Sequence, residues 1–144
     1  MNKFHKVIFD AIATRNLHLL NPKGQVAILQ IGKPNKVSEL EWECSFYISN
    51  IGMEDIQFGH GSDSVQALIQ AIEGARVFLE KSGVVVTWEG GEEGEAGIPK
   101  YIPSIYGKKF TNQLNKLVDN QIEDFARALE KQYLEKQKKE KESP

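Results

Sequence analysis

Between residues 39 and 49, apolar and polar positions alternate one for one. Leu40, Trp42, Cys44, Phe46 and Ile48 fall on one side, and Glu39, Glu41, Glu43, Ser45, Tyr47 and Ser49 on the other. A period of two belongs to a strand with one dry face. Further on the period changes: Val65, Leu68, Ile69, Ile72, Ala75 and Leu79 recur at threes and fours, the spacing of an amphipathic helix. Asp63 with Gln66 three residues later forms a capping-box pattern, Ser62 can share that duty, and Gly83 stands where a left-handed residue closes a helix. The helix predicted over residues 63–82 needs a sheet beneath its stripe, with Trp42 and Phe46 pointing at it. Gly74 in its middle costs about 1 kcal/mol against Ala and marks a close approach of helix backbone to sheet.

The remaining elements follow from the same patterning. Residues 3–13 suit a short helix, although Val7, Ile8 and Phe9 would also suit a strand. Residues 13–20 read as a strand that turns at Asn21-Pro22-Lys23-Gly24 into a second, residues 25–31. Apolar residues on both faces of the second strand (Val26 and Ile28; Ala27, Leu29 and Ile31) predict a strand buried on both sides. A turn at Asn50-Ile51-Gly52 leads into a fourth strand, and a three-residue loop there sets Phe46 opposite Ile56, Cys44 opposite Phe58 and Trp42 opposite His60. Val84-Val85-Val86-Thr87-Trp88 reads as a further strand, residues 89–97 as a mobile loop of glutamate and glycine, and residues 98–106, with Pro99 and Pro103, as an extended surface segment. From Lys108 to about Lys136, Phe110, Leu114, Leu117, Val118, Ile122, Phe125, Leu129 and Tyr133 mark a long helix, followed by a charged end that frays.

The predicted fold class is therefore α+β: an antiparallel meander of four or five strands, one helix packed across a face, and a long C-terminal helix packed partly on the domain. The division is residues 1–106 for the α+β domain and residues 107–144 for the helical extension.

Composition narrows the function without naming it. The chain has 144 residues, of which 40% are hydrophobic and 26% charged, as in ordinary soluble proteins. The net charge of −2 selects no partner class, and a tail with five Lys against three Glu over residues 131–144 is too mild to predict nucleic-acid binding. No apolar run reaches the roughly 20 residues that span a bilayer. Asp10 cuts the first apolar run too short for a leader sequence. The single Cys44 excludes an internal disulfide and fits a reducing compartment, so the expected location is cytoplasmic.

Three groups of residues carry a resemblance: Ile12-Ala13-Thr14-Arg15-Asn16-Leu17; Trp42-Glu43-Cys44 with Phe46 and Ile48; and Gly61 through Leu68, GSDSVQAL. With Gly97-Ile98-Pro99-Lys100 they make residues 12–103 similar to a bacterial family catalogued as a domain of unknown function. The likeness implies a strand-rich meander with a helix. It brings no activity, cofactor or catalytic residue.

Chemistry has few places to reside. His60, Gly61 and Ser62 precede a helix N-terminus and form a candidate anion site, though Asp63 would repel an anion and can fill the cap itself. Cys44 and His60 are near neighbours in the proposed hairpin, yet Cys44 shares the phase of Trp42 and Phe46, where a thiol is buried and inert. His5, His18 and His60 lie on separate elements, and Glu89, Glu92, Glu93 and Glu95 lack the spacing of a calcium loop, so no metal or cofactor is expected. Glu39, Glu41 and Glu43, with Tyr47, form either solvated surface or a patch for a basic partner. Ile122, Phe125, Leu129 and Tyr133 extend the long helix's stripe beyond what a small sheet can cover, which favours self-association as a homodimer. The reading that results is a non-enzymatic protein-binding domain of the inhibitor or immunity type. Its alternative is a small enzyme or anionic-ligand binder using residues 59–64.

Overall fold

The computed structural model describes residues 10–143 and is α+β, as the patterning predicts. Six strands form one antiparallel sheet: β1 (Ala11–Leu19), β2 (Val26–Gly32), β3 (Asn35–Ser38), β4 (Glu41–Ile48), β5 (Gln57–Gly61) and β6 (Val86–Trp88). Helix α1 (Ser64–Ser82) lies between β5 and β6 in sequence, and α2 (Lys108–Glu142) ends the chain after a 3-10 turn at Ser104–Tyr106. The chain divides into two compact units between Tyr101 and Ile102.

In the first unit the strands follow one another across the sheet. β1 pairs with β2 and β2 with the second half of β4, Ile31 opposite Phe46 and Leu29 opposite Ile48. β5 takes the other edge of β4, and β6 returns to the free edge of β1. The short strand β3 pairs with the first half of β4. It was not expected, because its four residues are all exposed and leave no apolar signal. The predicted helix over residues 3–13 gives way to strand at Ala11–Ala13, while residues 1–9 lie outside the described residues.

One face of this sheet is dry. Leu17, Leu19, Ala27, Leu29, Ile31, Cys44, Phe46, Ile48 and Val86 are buried on it, with Trp42 and Trp88 packed against them. β2 is not buried on both sides as predicted: Ile28 points outward and is exposed, because α1 covers only one face.

α1 begins with the predicted cap. Asp63 accepts from Gln66 N at 2.7 Å, and Gln66 Oε1 reaches back to Ser62, accepting from its backbone N at 2.7 Å and its hydroxyl at 2.9 Å. It ends on Gly83 at φ 69°. Between those ends the stripe differs from the predicted one. Ala67, Ala71, Ala75 and Leu79 are buried, Leu68 and Ile72 half-buried, and Val65 is 63% exposed and Ile69 40%.

The reason is how closely the helix lies on β5. A Cβ on Gly59 would sit 2.1 Å from Ala71 N, and one on Gly61 would sit 2.5 Å from Ala67 N. Only glycine on the strand and alanine on the helix permit that approach, so larger apolar residues are displaced to the flanks. Gly74 is the predicted close approach, with the Phe46 ring 2.8 Å from where its Cβ would be.

Residues 89–101 form a strap over the other end of the dry face, where Ala96 and Ile98 pack on the core; residues 89–97 are fastened there, in contrast to the mobile loop expected for them. Trp88 N donates to Glu95 O at 2.9 Å, and Gly94 N to Thr87 Oγ1 at 2.9 Å. The Trp88 ring occupies the space where side chains on Gly90, Gly91 and Gly97 would lie. The Arg15 guanidinium stacks 4.7 Å from its centroid and donates to Gly97 O at 2.6 Å. At the far end Tyr101 N donates to Glu73 Oε2 at 3.3 Å. Glu73 is itself gripped by Arg76, whose Nε and Nη2 reach its two oxygens at 2.8 and 2.7 Å. That pairing holds the Glu73 carboxyl below the usual glutamate range.

The second unit is dominated by α2, 35 residues and about 52 Å of helix. None of its residues is buried.

Candidate partner-binding surface

The β4 and β5 registers determine what the outward face carries. Trp42 pairs with Gly61, Glu43 with His60, Cys44 with Gly59 and Ser45 with Phe58. This is one residue away from the predicted register, and a shift of one moves a whole strand to the opposite face. Phe58 and His60 therefore point outward, and the glycines lie under α1.

The correction separates residues that the sequence placed together. Cys44 lies in the core, its thiol donating to Gly32 O at 3.2 Å and its pKa pushed up by burial. His60 is on the opposite side of the sheet, so the two form no thiol–imidazole pair. The candidate anion site is likewise not assembled: His60 faces away from α1, the Ser62 and Gln66 N–H groups are taken by Gln66 and Asp63 side chains, and the helix backbone closes on Gly61. No group of three His, Cys, Asp or Glu among the described residues could hold a metal ion.

What the outward face does assemble is a patch centred on β4. Glu41, Glu43, Ser45 and Tyr47 project from it at every second position. Phe58 stands opposite Ser45 and diagonal to Tyr47, and Gln30 opposite Tyr47 places Ile28 diagonal to it on the other side. Diagonal neighbours lie about 7–8 Å apart, within reach of aromatic side chains. Phe58, Tyr47 and Ile28 thus form a diagonal apolar row across three strands. Phe58 is 46% exposed and Ile28 39%. Ser45, opposite Phe58, is buried.

Carboxylates border one end of this row. Glu41 Oε1 lies 3.9 Å from His60 Nδ1, and Glu43 is flanked by His60 on β5 and Asn35 on β3. Of the predicted acidic set, Glu41, Glu43 and Tyr47 share the face. Glu39 stands in the turn before β4 and pairs with Lys36 at 3.5 Å. Phe58, Ile28 and His60 were not read as part of this surface. Their signal was present in the alternation of β5 and β2, but the shifted register assigned Phe58 to the core.

The residues expected to self-associate have a separate location. Ile122, Phe125, Leu129 and Tyr133 are all exposed along α2. The defining pattern of DUF6968, described as a domain of unknown function, matches residues 13–100. The chain belongs to the DUF6968 family. The DUF6968 match takes in the sheet, α1 and the strap up to Lys100, and stops before α2. No curated protein and no solved structure matches the chain. No helix among the described residues is long and apolar enough to cross a membrane.

Proposed function

We propose that this chain is a non-enzymatic protein-binding domain of the inhibitor or immunity type, which captures a basic partner on the outward face of its sheet. One observation supports the reading: a diagonal row in which exposed Phe58 and Ile28 flank half-buried Tyr47 on adjoining strands, bordered by Glu41 and Glu43. Aromatic anchors beside charged groups are the composition of binding hot spots, and like-signed carboxylates steer a basic protein toward them. The single buried cysteine supports the cytoplasm as its place of work.

The test is capture from native extract by the full chain and by two variants, Glu41→Lys/Glu43→Lys and Phe58→Ala. The reading expects one basic protein that is retained by the wild type, released by added salt and lost with both variants while circular dichroism is unchanged. Retention of the same protein by both variants would place its binding elsewhere and end this reading.

A further inference from the structure

We infer that α2 pairs with α2 of a second copy of this chain, antiparallel and centred between Gln121 and Ile122. The starting point is the amount of apolar side chain this helix leaves in water. Phe110, Phe125 and Tyr133 are 40%, 68% and 62% exposed, and Leu117, Val118, Ile122 and Leu129 are exposed with them. At about 150–250 Å² per aromatic side chain, those three would remove on the order of 700 Å² from water across two copies. The aliphatic residues take the total to the range of about 1,000 Å² that a specific interface needs.

The spacing of the stripe selects the occupant. Phe110, Leu114, Val118 and Gln121 precede the centre, and Ile122, Phe125, Leu129 and Tyr133 follow it at mirror-image intervals. Turned end for end, the helix presents Tyr133 to Phe110, Leu129 to Leu114 and Phe125 to Val118. A surface that meets itself under a two-fold rotation is what a closed dimer requires. Ala126 and Ala128 beside Phe125 and Leu129 leave a hollow on the helix surface into which a facing side chain fits.

Charge selects the direction. Residues 108–118 contain three Lys and no acid, so a parallel pair would set three Lys beside three Lys along its first turns. The antiparallel pair sets them beside residues 125–135, which include Glu130 and Glu135 and carry no net charge. The acidic block Asp119, Glu123 and Asp124 meets its own copy in either direction and decides nothing.

The repeat also sets the kind of seam. Leu114 and Phe125, Val118 and Leu129, and Ile122 and Tyr133 are each eleven residues apart. An eleven-residue repeat keeps close to the natural turn of the α-helix and gives a nearly straight or right-handed pair, unlike the left-handed coil of a seven-residue repeat.

Sedimentation of the full chain over a broad concentration range, with variants, tests this. The wild type is expected to sediment as two copies. Phe125→Asp and Leu129→Asp should each weaken association by about a hundredfold or more, since each buries an unpaired carboxylate in the seam. Arg127→Asp, on the opposite side of the helix, should stay dimeric. For direction, Leu114→Cys and Leu129→Cys chains are oxidised separately and mixed: the mixture should give a disulfide-linked pair, and each alone should not. A monomeric wild type, a dimer unaffected by both aspartates, or each cysteine variant linking to itself overturns the inference.

Discussion

The two long helices solve the same problem in opposite ways. α1 buries Ala67, Ala71 and Ala75 on the sheet with one large side chain, Leu79, while Val65 and Ile69 face outward. α2 carries Phe, Leu, Ile and Tyr along one stripe and buries none of them. Size of side chain therefore does not rank residues by burial in this molecule. What decides is the separation of the two backbones. Where Gly59 and Gly61 let α1 approach to within a methyl group of β5, the favourable contacts come from backbone and alanine atoms at close range. On α2 the large side chains themselves stay in water.

The sharpest way to break this comparison is at its base. Phe46→Ala removes the ring under Gly74 and should destabilise the first unit by about 3–5 kcal/mol, measured by denaturant titration. A loss below about 1 kcal/mol would mean that α1 is not seated on β4. Next comes Gly59→Ala, which adds one methyl group where Ala71 N already stands, and should cost about 1–3 kcal/mol. An unchanged midpoint would refute the close approach.

The Glu73–Arg76 pair that fastens the strap to α1 has a smaller effect, and it depends on pH. Because the Glu73 pKa is lowered in the folded state, its contribution is present above the unfolded value of about 4.3 and is lost as pH falls through the folded value. Glu73→Gln should thus be less stable than wild type at neutral pH, with the gap shrinking in acid. A gap that stays constant with pH would remove the ionic origin. The smallest effect belongs to α2: Phe125→Ala should leave the unfolding of the first unit within about 0.5 kcal/mol of wild type, as read from its two tryptophans.

How much of this was legible depends on whether the cause is local. The Asp63 cap, the Gly83 stop and the Gly74 approach follow from chemistry within a few residues, and each stands where the sequence puts it. The β4 alternation is equally plain, apart from Leu40, which leaves the strand for an exposed turn. The β4–β5 register was missed because matching apolar residues across a hairpin assumes that side chains fill the space above the sheet. Here a helix backbone fills it, and glycine is the partner of Cys44. The same cause hid the α1 stripe and the outward Phe58. Residues 89–97 were misread for a related reason: glycines usually signal freedom, but these are small so that Trp88 can lie against them. The acidic face was half legible, since alternation shows which residues share a side of one strand and not what adjoining strands place beside them.

The fastening of Trp88 also makes the molecule its own gauge. The indole is enclosed by three glycines of the strap and stacked against Arg15, while α1 and its sheet contacts lie at the other end of the dry face. Lifting the strap would wet this ring and withdraw the cation from it without unseating α1. With Trp42→Phe, fluorescence would come from Trp88 alone, and its colour and lifetime would record how often the strap opens while far-ultraviolet dichroism records whether the domain is still folded. Two events that a melting curve merges into one become separately visible in light.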